Sequence, residues 1–435
     1  MGSMDSMDGQ TGSEQIGRRL PRPPVGGSYW GLLVRNGDFR RVYLATLISL
    51  AGDWFMMVAL YDLVLSQTGS ATLTSLISVC LGLPALLVTP WAGTLIDRTD
   101  RRRLMVIVDL LRAGLALLPI LVVSPSLLPL AYLSVAGLSA GSGFFDPASE
   151  AAAPNLVAPE DLGRANALLG SAWGTMLMVG SALGGLVATH FGRNTAFVVN
   201  ALSFLLSALL LIGIKTPFSE QAPHSESPEP LLSSLDEAFQ FMRKQPQVLA
   251  LLCGKGLLGL MMGLTTLLSV FAEKVFLRGS EGISMMFVAR GLGALIGPFV
   301  LFGLVSSPVR RSQMIAPCML IYALGYVVLS RSPSLELGMI PVVIGHMGGG
   351  AMWQATTFAL QKAIPDVLRG RLFSFDQAIL AVMYSGSAVC VGLLVDSYGA
   401  RTVFLTLAIL FSTLALLLGF LTRRLWNEPA PTDQT

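Results

Sequence analysis

Charge is scarce in this chain of 435 residues: Asp, Glu, Lys and Arg together make up 13%, against about 25% in a soluble globular domain. A water-soluble enzyme of this length is thereby excluded. Lysine is rarer still, present only as Lys215, Lys244, Lys255, Lys274 and Lys362. A net charge of +3 provides no field for a nucleic-acid partner. Four cysteines, Cys80, Cys253, Cys318 and Cys390, lie in apolar stretches without CxxC spacing, so neither a disulfide framework nor a zinc site is expected. The three histidines, His190, His224 and His346, form no HExxH, and no GxxxxGK[ST] occurs. The sequence therefore offers no catalytic cluster, no metal, no cofactor and no ATP-binding domain of its own. Work done by such a chain has to draw on an ion gradient or on the substrate gradient. The first 28 residues have no apolar h-region, so a disordered polar tail is expected there rather than a signal peptide. Met1-Gly2-Ser3-Met4-Asp5-Ser6 fits the myristoylation pattern, a pattern short enough to arise by chance.

What is present in quantity is apolar. Hydrophobic residues make up 53% and the mean hydropathy is +0.66; the 45 glycines and 24 prolines sit inside long apolar runs. A bilayer core about 30 Å thick requires about 20 mostly apolar helical residues. Runs of that length occur at 41–66, 70–95, 104–124, 127–150, 165–190 and 194–214, then at 248–273, 283–306, 313–331, 336–361, 372–396 and 401–422. Pro84, Pro90 and Pro298 interrupt the second and eighth, which neighbouring helices accommodate. The fold class expected is an all-α membrane protein, twelve transmembrane helices in two pseudo-symmetric six-helix bundles. The expected divisions are a tail at 1–38, bundles at 39–214 and 248–422, a linker at 215–247, and a second tail at 423–435. Within the linker, Leu231, Leu235, Ala238, Phe239 and Met242 have helical spacing, as in a helix lying on a membrane surface. Of the 29 basic residues, 21 fall on the side of the two termini and five on the other. Lys255, Arg290 and Arg112 fall within spans. The positive-inside rule then puts both termini in the cytoplasm, the membrane being a bacterial inner plasma membrane.

The two halves match at a fixed displacement. At an offset of 209, Ser75 meets Ser284, Val79 meets Val288, Gly82-Leu83 meets Gly291-Leu292, and Arg101-Arg102 meets Arg310-Arg311. At 207, Gly163-Arg164 meets Gly370-Arg371, Gly185 meets Gly392, Gly192 meets Gly399, and Phe197 meets Phe404. Parallel repeats of this kind build secondary transporters with a midplane substrate site between rocking halves.

After the second span the chain reads Gly93-Thr94-Leu95-Ile96-Asp97-Arg98-Thr99-Asp100-Arg101-Arg102. This resembles motif A of the major facilitator superfamily, GxLxDRxGRR, with Asp100 standing where the pattern has glycine. The resemblance implies a gate. Gly93 permits close helix approach, and Asp97 is suited to the N-terminus of the eleventh span, where backbone N–H groups favour a carboxylate. Gly52-Asp53-Trp54, Thr68-Gly69-Ser70-Ala71, Phe144-Phe145-Asp146-Pro147-Ala148 and Ala165-Asn166-Ala167-Leu168 are similar to the branch holding enterobactin exporters and macrolide-efflux proteins. The fifth-span run Gly180-Ser181-Ala182-Leu183-Gly184-Gly185 resembles the antiporter motif GPxxGG, with Ser181 in place of proline.

An ionisable residue at membrane depth costs at least about 2.5–3.5 kcal/mol and is a functional candidate on that ground. Asp53 shares a face of the first span with Ser49 and Met57. It suits either coupling and substrate contact or a hydrogen bond to a neighbouring helix. Asp146, beside Pro147, suits the cavity or a gate. Asp109 and Arg112, three apart, can pair on one face and are expected to join the motif A arginines in an ionic cluster, with Asp376 in the gate. Arg290 suits an anionic substrate such as a catecholate, or an acidic partner. Lys255 is expected to snorkel toward the cytoplasm. His346, Trp353 and Gln354 lie near Gly348, Gly349 and Gly350, where a ligand could approach closely; for His346 a scaffolding hydrogen bond is the alternative. The function expected is proton-driven export of a small amphipathic molecule, a siderophore or drug-like compound, out of the bilayer-spanning cavity. Rival readings are an importer or lysophospholipid-type carrier, a membrane-embedded enzyme using Asp53 and His346, and a non-transporting receptor or assembly factor.

Overall fold

The computed structural model describes residues 28–216, 240–305 and 312–425, apart from the side chains of residues 94, 97, 301, 302, 366, 367 and 369–371. The long helices are α2 (Gly37–Thr68), α3 (Ala71–Arg98), α4 (Arg101–Leu115), α5 (Leu128–Leu156), α6 (Leu162–Phe191), α7 (Arg193–Ile212), α8 (Pro246–Thr266), α9 (Gly279–Leu304), α10 (Ile315–Arg331), α11 (Leu335–Ala363), α12 (Asp366–Tyr398) and α13 (Ala400–Thr422), preceded by a short α1 (Tyr29–Arg35). Among the described residues, 11 helical segments are long and apolar enough to cross a membrane, and α10 is a shorter apolar helix. Together these are the twelve expected spans. α8 is prolonged by Leu268–Val270 and a π-turn at Phe271–Val275. The stretch expected to be tail contains α1, anchored through buried Leu32 and the adjoining Asn36, whose Nδ2 donates to Leu156 O at 2.6 Å. Of the expected surface helix, only 240–244 falls among the described residues.

Local chemistry sets the boundaries. Asn36, Ser70, Asp100 and Ser334 each accept a backbone N–H at a helix start, replacing a bond that the first turn cannot make internally. This gives Asp100 a role in place of the motif's glycine: its carboxylate accepts from Arg103 N at 2.9 Å. Gly192 and Gly399 turn the chain between α6 and α7 and between α12 and α13 at φ 83° and 81°, a region that side chains with a Cβ avoid. Pro84, Pro90 and Pro298 lie inside continuous helices.

Helix pairing repeats between the bundles. α2 packs on α6 as α8 packs on α12, α3 on α5 as α9 on α11, and α4 on α7 as α10 on α13. The bundles meet along two crossings, α3 with α12 and α6 with α9. At one, Ser75 lies against Gly392, and at the other Ser284 lies against Gly185; a side chain on either glycine would overlap the serine. These are the residues matched by the sequence repeat, so one small-residue contact is used twice. The contacts between bundles lie toward the end away from the chain termini. At the terminal end, a Cβ on Gly93, Gly163 or Gly170 would meet nothing within 4 Å.

Candidate functional site

The N-terminal bundle places a charge cluster at mid-depth. Arg112 on α4 donates from Nη2 to Asp53 Oδ2 at 2.6 Å and to Ser142 Oγ at 3.1 Å, and from Nη1 to Ser49 Oγ at 3.0 Å. Asp109 Oδ1 lies 3.6 Å from the same Nη1. Arg112 and Asp109 are buried, with side-chain exposures of 3% and 0%, while Asp53 keeps 23%. Phe204 covers the guanidinium, its ring centre 4.1 Å away. Ser49 and Asp53 act from one face of α2, as their spacing implied. The arrangement differs from the expected cluster with the motif A arginines: Arg101 donates to Ala151 O and Arg102 to Ile214 O, each at 2.7 Å. Those loop arginines satisfy nearby carbonyls, whereas Arg112, buried deeper, requires a carboxylate. One turn below Ser142 on α5, Asp146 and then Glu150 are exposed, without an ion pair.

The C-terminal bundle holds a different pair. Lys255 Nζ lies 3.1 Å from Asp376 Oδ2, with both side chains 1% exposed. It also contacts Thr357 Oγ1 at 3.3 Å and sits 4.1 Å from the centre of the Trp353 ring. The expected snorkelling is overturned: a carboxylate and an aromatic face are within reach in the interior, so the stem has no reason to extend to the surface. Trp353 is half-buried and Gln354 exposed. His346 Nε2 lies 3.1 Å from Tyr326 Oη, and its ring packs edge-on against Tyr322, while Tyr322 Oη pairs with Thr265 Oγ1 at 2.7 Å. His346 and Trp353 therefore serve different neighbours. The adjacent glycines admit helices: a Cβ would meet Cys318 O at Gly348, the Tyr322 ring at Gly349 and Ala294 O at Gly350. Backbone approaches Gly348 and Gly350 and a buried ring approaches Gly349, so neighbouring helices take the place where a ligand was expected.

The fifth-span glycines divide their work likewise. Gly180 and Gly184 face the backbone of Ala51 and Phe55 on α2, while Gly185 faces Ser284 across the seam. Near the seam, Arg290 on α9 is buried, at 7% exposure. Its guanidinium carbon lies 5.6 Å from the ring centres of both Trp54 and Phe287. Gly93 and Arg98 belong to the end of α3; both are exposed, and a Cβ on Gly93 would meet nothing within 4 Å, so the close helix approach expected at Gly93 is not present. The side chain of Asp97 lies outside the described residues, so its expected contact with the eleventh span does too.

Sequence reasoning passed over Asp396, which closes the end away from the termini. From the end of α12 its carboxylate accepts four hydrogen bonds at the start of α3: Ser70 Oγ at 2.7 Å, Ala71 N at 2.8 Å, Thr72 N at 2.9 Å and Thr72 Oγ1 at 2.8 Å. Lys274 Nζ is 3.7 Å away. One bundle thus caps a helix of the other. The signal was present in Ser70-Ala71-Thr72, a helix start with donors to spare, but its acceptor is more than 300 residues distant.

A sequence profile of the Major Facilitator Superfamily matches residues 42–280. The multidrug efflux pump Tap of Mycolicibacterium fortuitum is 28% identical over 405 residues, covering 89% of this chain and 97% of that protein. Macrolide efflux protein A of Streptococcus pyogenes is 22% identical over 384 residues, covering 87% and 94%. Among solved structures, a bacterial homologue of the human lysosomal transporter Spinster, inward-facing and unoccupied, gives a TM-score of 0.72 at 14% identity, covering 93% of this chain and 100% of that one. That likeness bears on the fold alone. The homologues and the fold are those of transporters, not enzymes. A repeated six-helix bundle, a seam built from its matched residues and the profile match over more than half its length together make this chain a multi-pass membrane transporter of the major facilitator superfamily.

Proposed function

We propose that this transporter exports small amphipathic molecules, drug-like compounds first and siderophores second, in exchange for protons entering the cell. The termini are taken as cytoplasmic, on the strength of 21 basic residues on their side against five on the other; the described conformation is then open inward and latched outward. Export is supported by the relatives named for multidrug and macrolide efflux.

The observation that carries the coupling is the Asp53–Arg112 ion pair, bonded at 2.6 Å with Asp53 still 23% exposed. Protonation of a water-accessible Asp53 removes the charge that Arg112 pairs with. The guanidinium then retains Asp109, Ser49 and Ser142 as partners, so it need never be left uncompensated in the membrane interior. A switch between two carboxylates on different helices moves α2 relative to α4, and α2 lies against α6 at the seam.

Reconstituted vesicles with an imposed pH gradient test this reading, using a labelled drug-like aromatic carboxylate and a labelled single-catechol carboxylate of the siderophore type as probes. Accumulation against the probe's own gradient, abolished by a protonophore and by Asp53→Asn, is expected. Accumulation that survives the protonophore would remove the proton from the cycle.

A further inference from the structure

Three cations are buried among the described residues: Arg112, Lys255 and Arg290. Arg112 and Lys255 are held by carboxylates. Arg290 has only aromatic faces, and at 5.6 Å from the centres of Trp54 and Phe287 it lies near the outer limit of about 6 Å for that interaction. Its guanidinium is not sealed, because no nitrogen of Arg290 is among the solvent-excluded atoms that lack a partner. The residual exposure of 7% thus leaves the charged group accessible.

The surroundings of the guanidinium are aromatic. Trp54 packs edge-on against Trp173 with ring centres 5.7 Å apart, and Phe287 stacks on Tyr61 at 5.3 Å. Trp54, Tyr61 and Trp173 come from the N-terminal bundle, Arg290 and Phe287 from the other, so the enclosure spans the seam. Gly291 makes the approach possible, since a Cβ there would come within 2.8 Å of Met178 N. The fold itself does not ask for a cation here. Gly82-Leu83 and Gly291-Leu292 fix the repeat's register, and the position matching Arg290 is Leu81.

We infer that Arg290 and its aromatic enclosure form the substrate site and select an amphipathic aromatic mono-anion, a flat ring system bearing one carboxylate-type oxyanion. A guanidinium presents a planar fork that matches such a group with two parallel bonds; half-buried Trp54 and exposed Trp173 offer the faces on which the ligand's body stacks, with buried Phe287 and Tyr61 behind them. One charge is matched and several are not, because Arg290 is a single cation with no second basic side chain among its described partners. The inference deepens the export reading by naming its substrate class, and it depends on that reading only for direction and coupling.

Calorimetric titration of the purified full chain in detergent tests it with three probes of one shape: naphthalene-2-carboxylate, naphthalene-2-carboxamide and 2-naphthylmethylammonium. The carboxylate is expected to bind about tenfold or more tightly than either other probe, as a charge-assisted pair would give. Arg290→Gln should abolish that preference, the carboxylate falling to the level of the carboxamide, and Arg290→Lys should retain part of it. Should Arg290→Gln not yield folded protein, Trp54→Leu decides instead, by weakening carboxylate and carboxamide equally and leaving their ratio intact. Equal affinity for carboxylate and carboxamide, tighter binding of the ammonium, or a preference undiminished in the Arg290 variants would overturn the assignment. Anion-selective binding without protonophore-sensitive transport would sink the coupling scheme and leave this site standing; coupled transport without anion selectivity would do the reverse.

Discussion

Each bundle contains one deeply placed ion pair, and the two are built to opposite rules. In the C-terminal bundle, Lys255 and Asp376 are both sealed at 1% exposure, with a hydroxyl and a ring completing the shell around the ammonium. In the N-terminal bundle, Asp53 keeps 23% of its side-chain surface exposed, and a second carboxylate, Asp109, lies 3.6 Å from Arg112. A sealed pair without a spare partner has one arrangement; an open pair with a spare has two. Under the proposed function, the first is expected to be scaffold and the second a moving part.

The largest effect should come from breaking the sealed pair on one side. Lys255→Met leaves Asp376 as an uncompensated buried charge and is expected to cost about 3–5 kcal/mol of stability, read as a drop in thermal melting of the detergent-solubilised protein. Replacing both members, Lys255→Met with Asp376→Leu, should recover most of that loss and retain transport. A double variant that melts normally but no longer transports would end the contrast, because the C-terminal pair would then be functional.

Next in size is Asp53→Asn. Gradient-driven accumulation should fall by about a hundredfold, roughly 2.7 kcal/mol, with thermal melting little changed because the amide still accepts from Arg112. A variant that loses stability and activity in proportion would make the N-terminal pair a scaffold as well.

Asp396 extends the comparison to the seam. Asp396→Asn keeps the shape but removes the charge and turns one acceptor into a donor facing donors. A loss of about 1–2 kcal/mol is expected in the latched conformation alone. Cysteine labelling at the outer end of α3 should become about five- to thirtyfold faster for that energy. Unchanged labelling would show that the small-residue contacts at Ser75 and Gly392 hold the end shut without the latch.

The sequence repeat forecast the seam better than it forecast the charges, and the reason is geometric. Ser75 and Ser284, or Gly185 and Gly392, are constrained by backbone approach, so duplication retains them at fixed spacing. Gly192 and Gly399 are likewise retained by their positive φ. Lys255 and Asp376 lie on different helices, and no periodicity within either helix reveals which faces meet. The same ignorance let Gly348, Gly349 and Gly350 pass for a ligand's approach when they admit α10 and α9. Ser49 and Asp53 were legible because one helix carries both.

Asp109 gives the finest division between moving part and scaffold. It is fully buried, and neither carboxylate oxygen has a hydrogen bond; its compensation is Arg112 Nη1 at 3.6 Å, with Arg112 already bonded to Asp53. A carboxylate so placed forgoes hydration without a compensating bond. If it were scaffold, Asp109→Asn would weaken the bundle, because Arg112 would lose one of its two counter-charges. If it is the seat that Arg112 falls back on when Asp53 is protonated, the resting state has little to lose. Melting should then be unchanged or raised, while coupled transport slows by about three- to fivefold, equivalent to roughly 1 kcal/mol. Binding of a probe in the absence of a gradient should be untouched, since Asp53 still holds Arg112 there. The combination of normal melting, normal binding and slowed coupled transport is what a spare seat produces, and a fall in melting temperature at normal transport rate would return Asp109 to the scaffold.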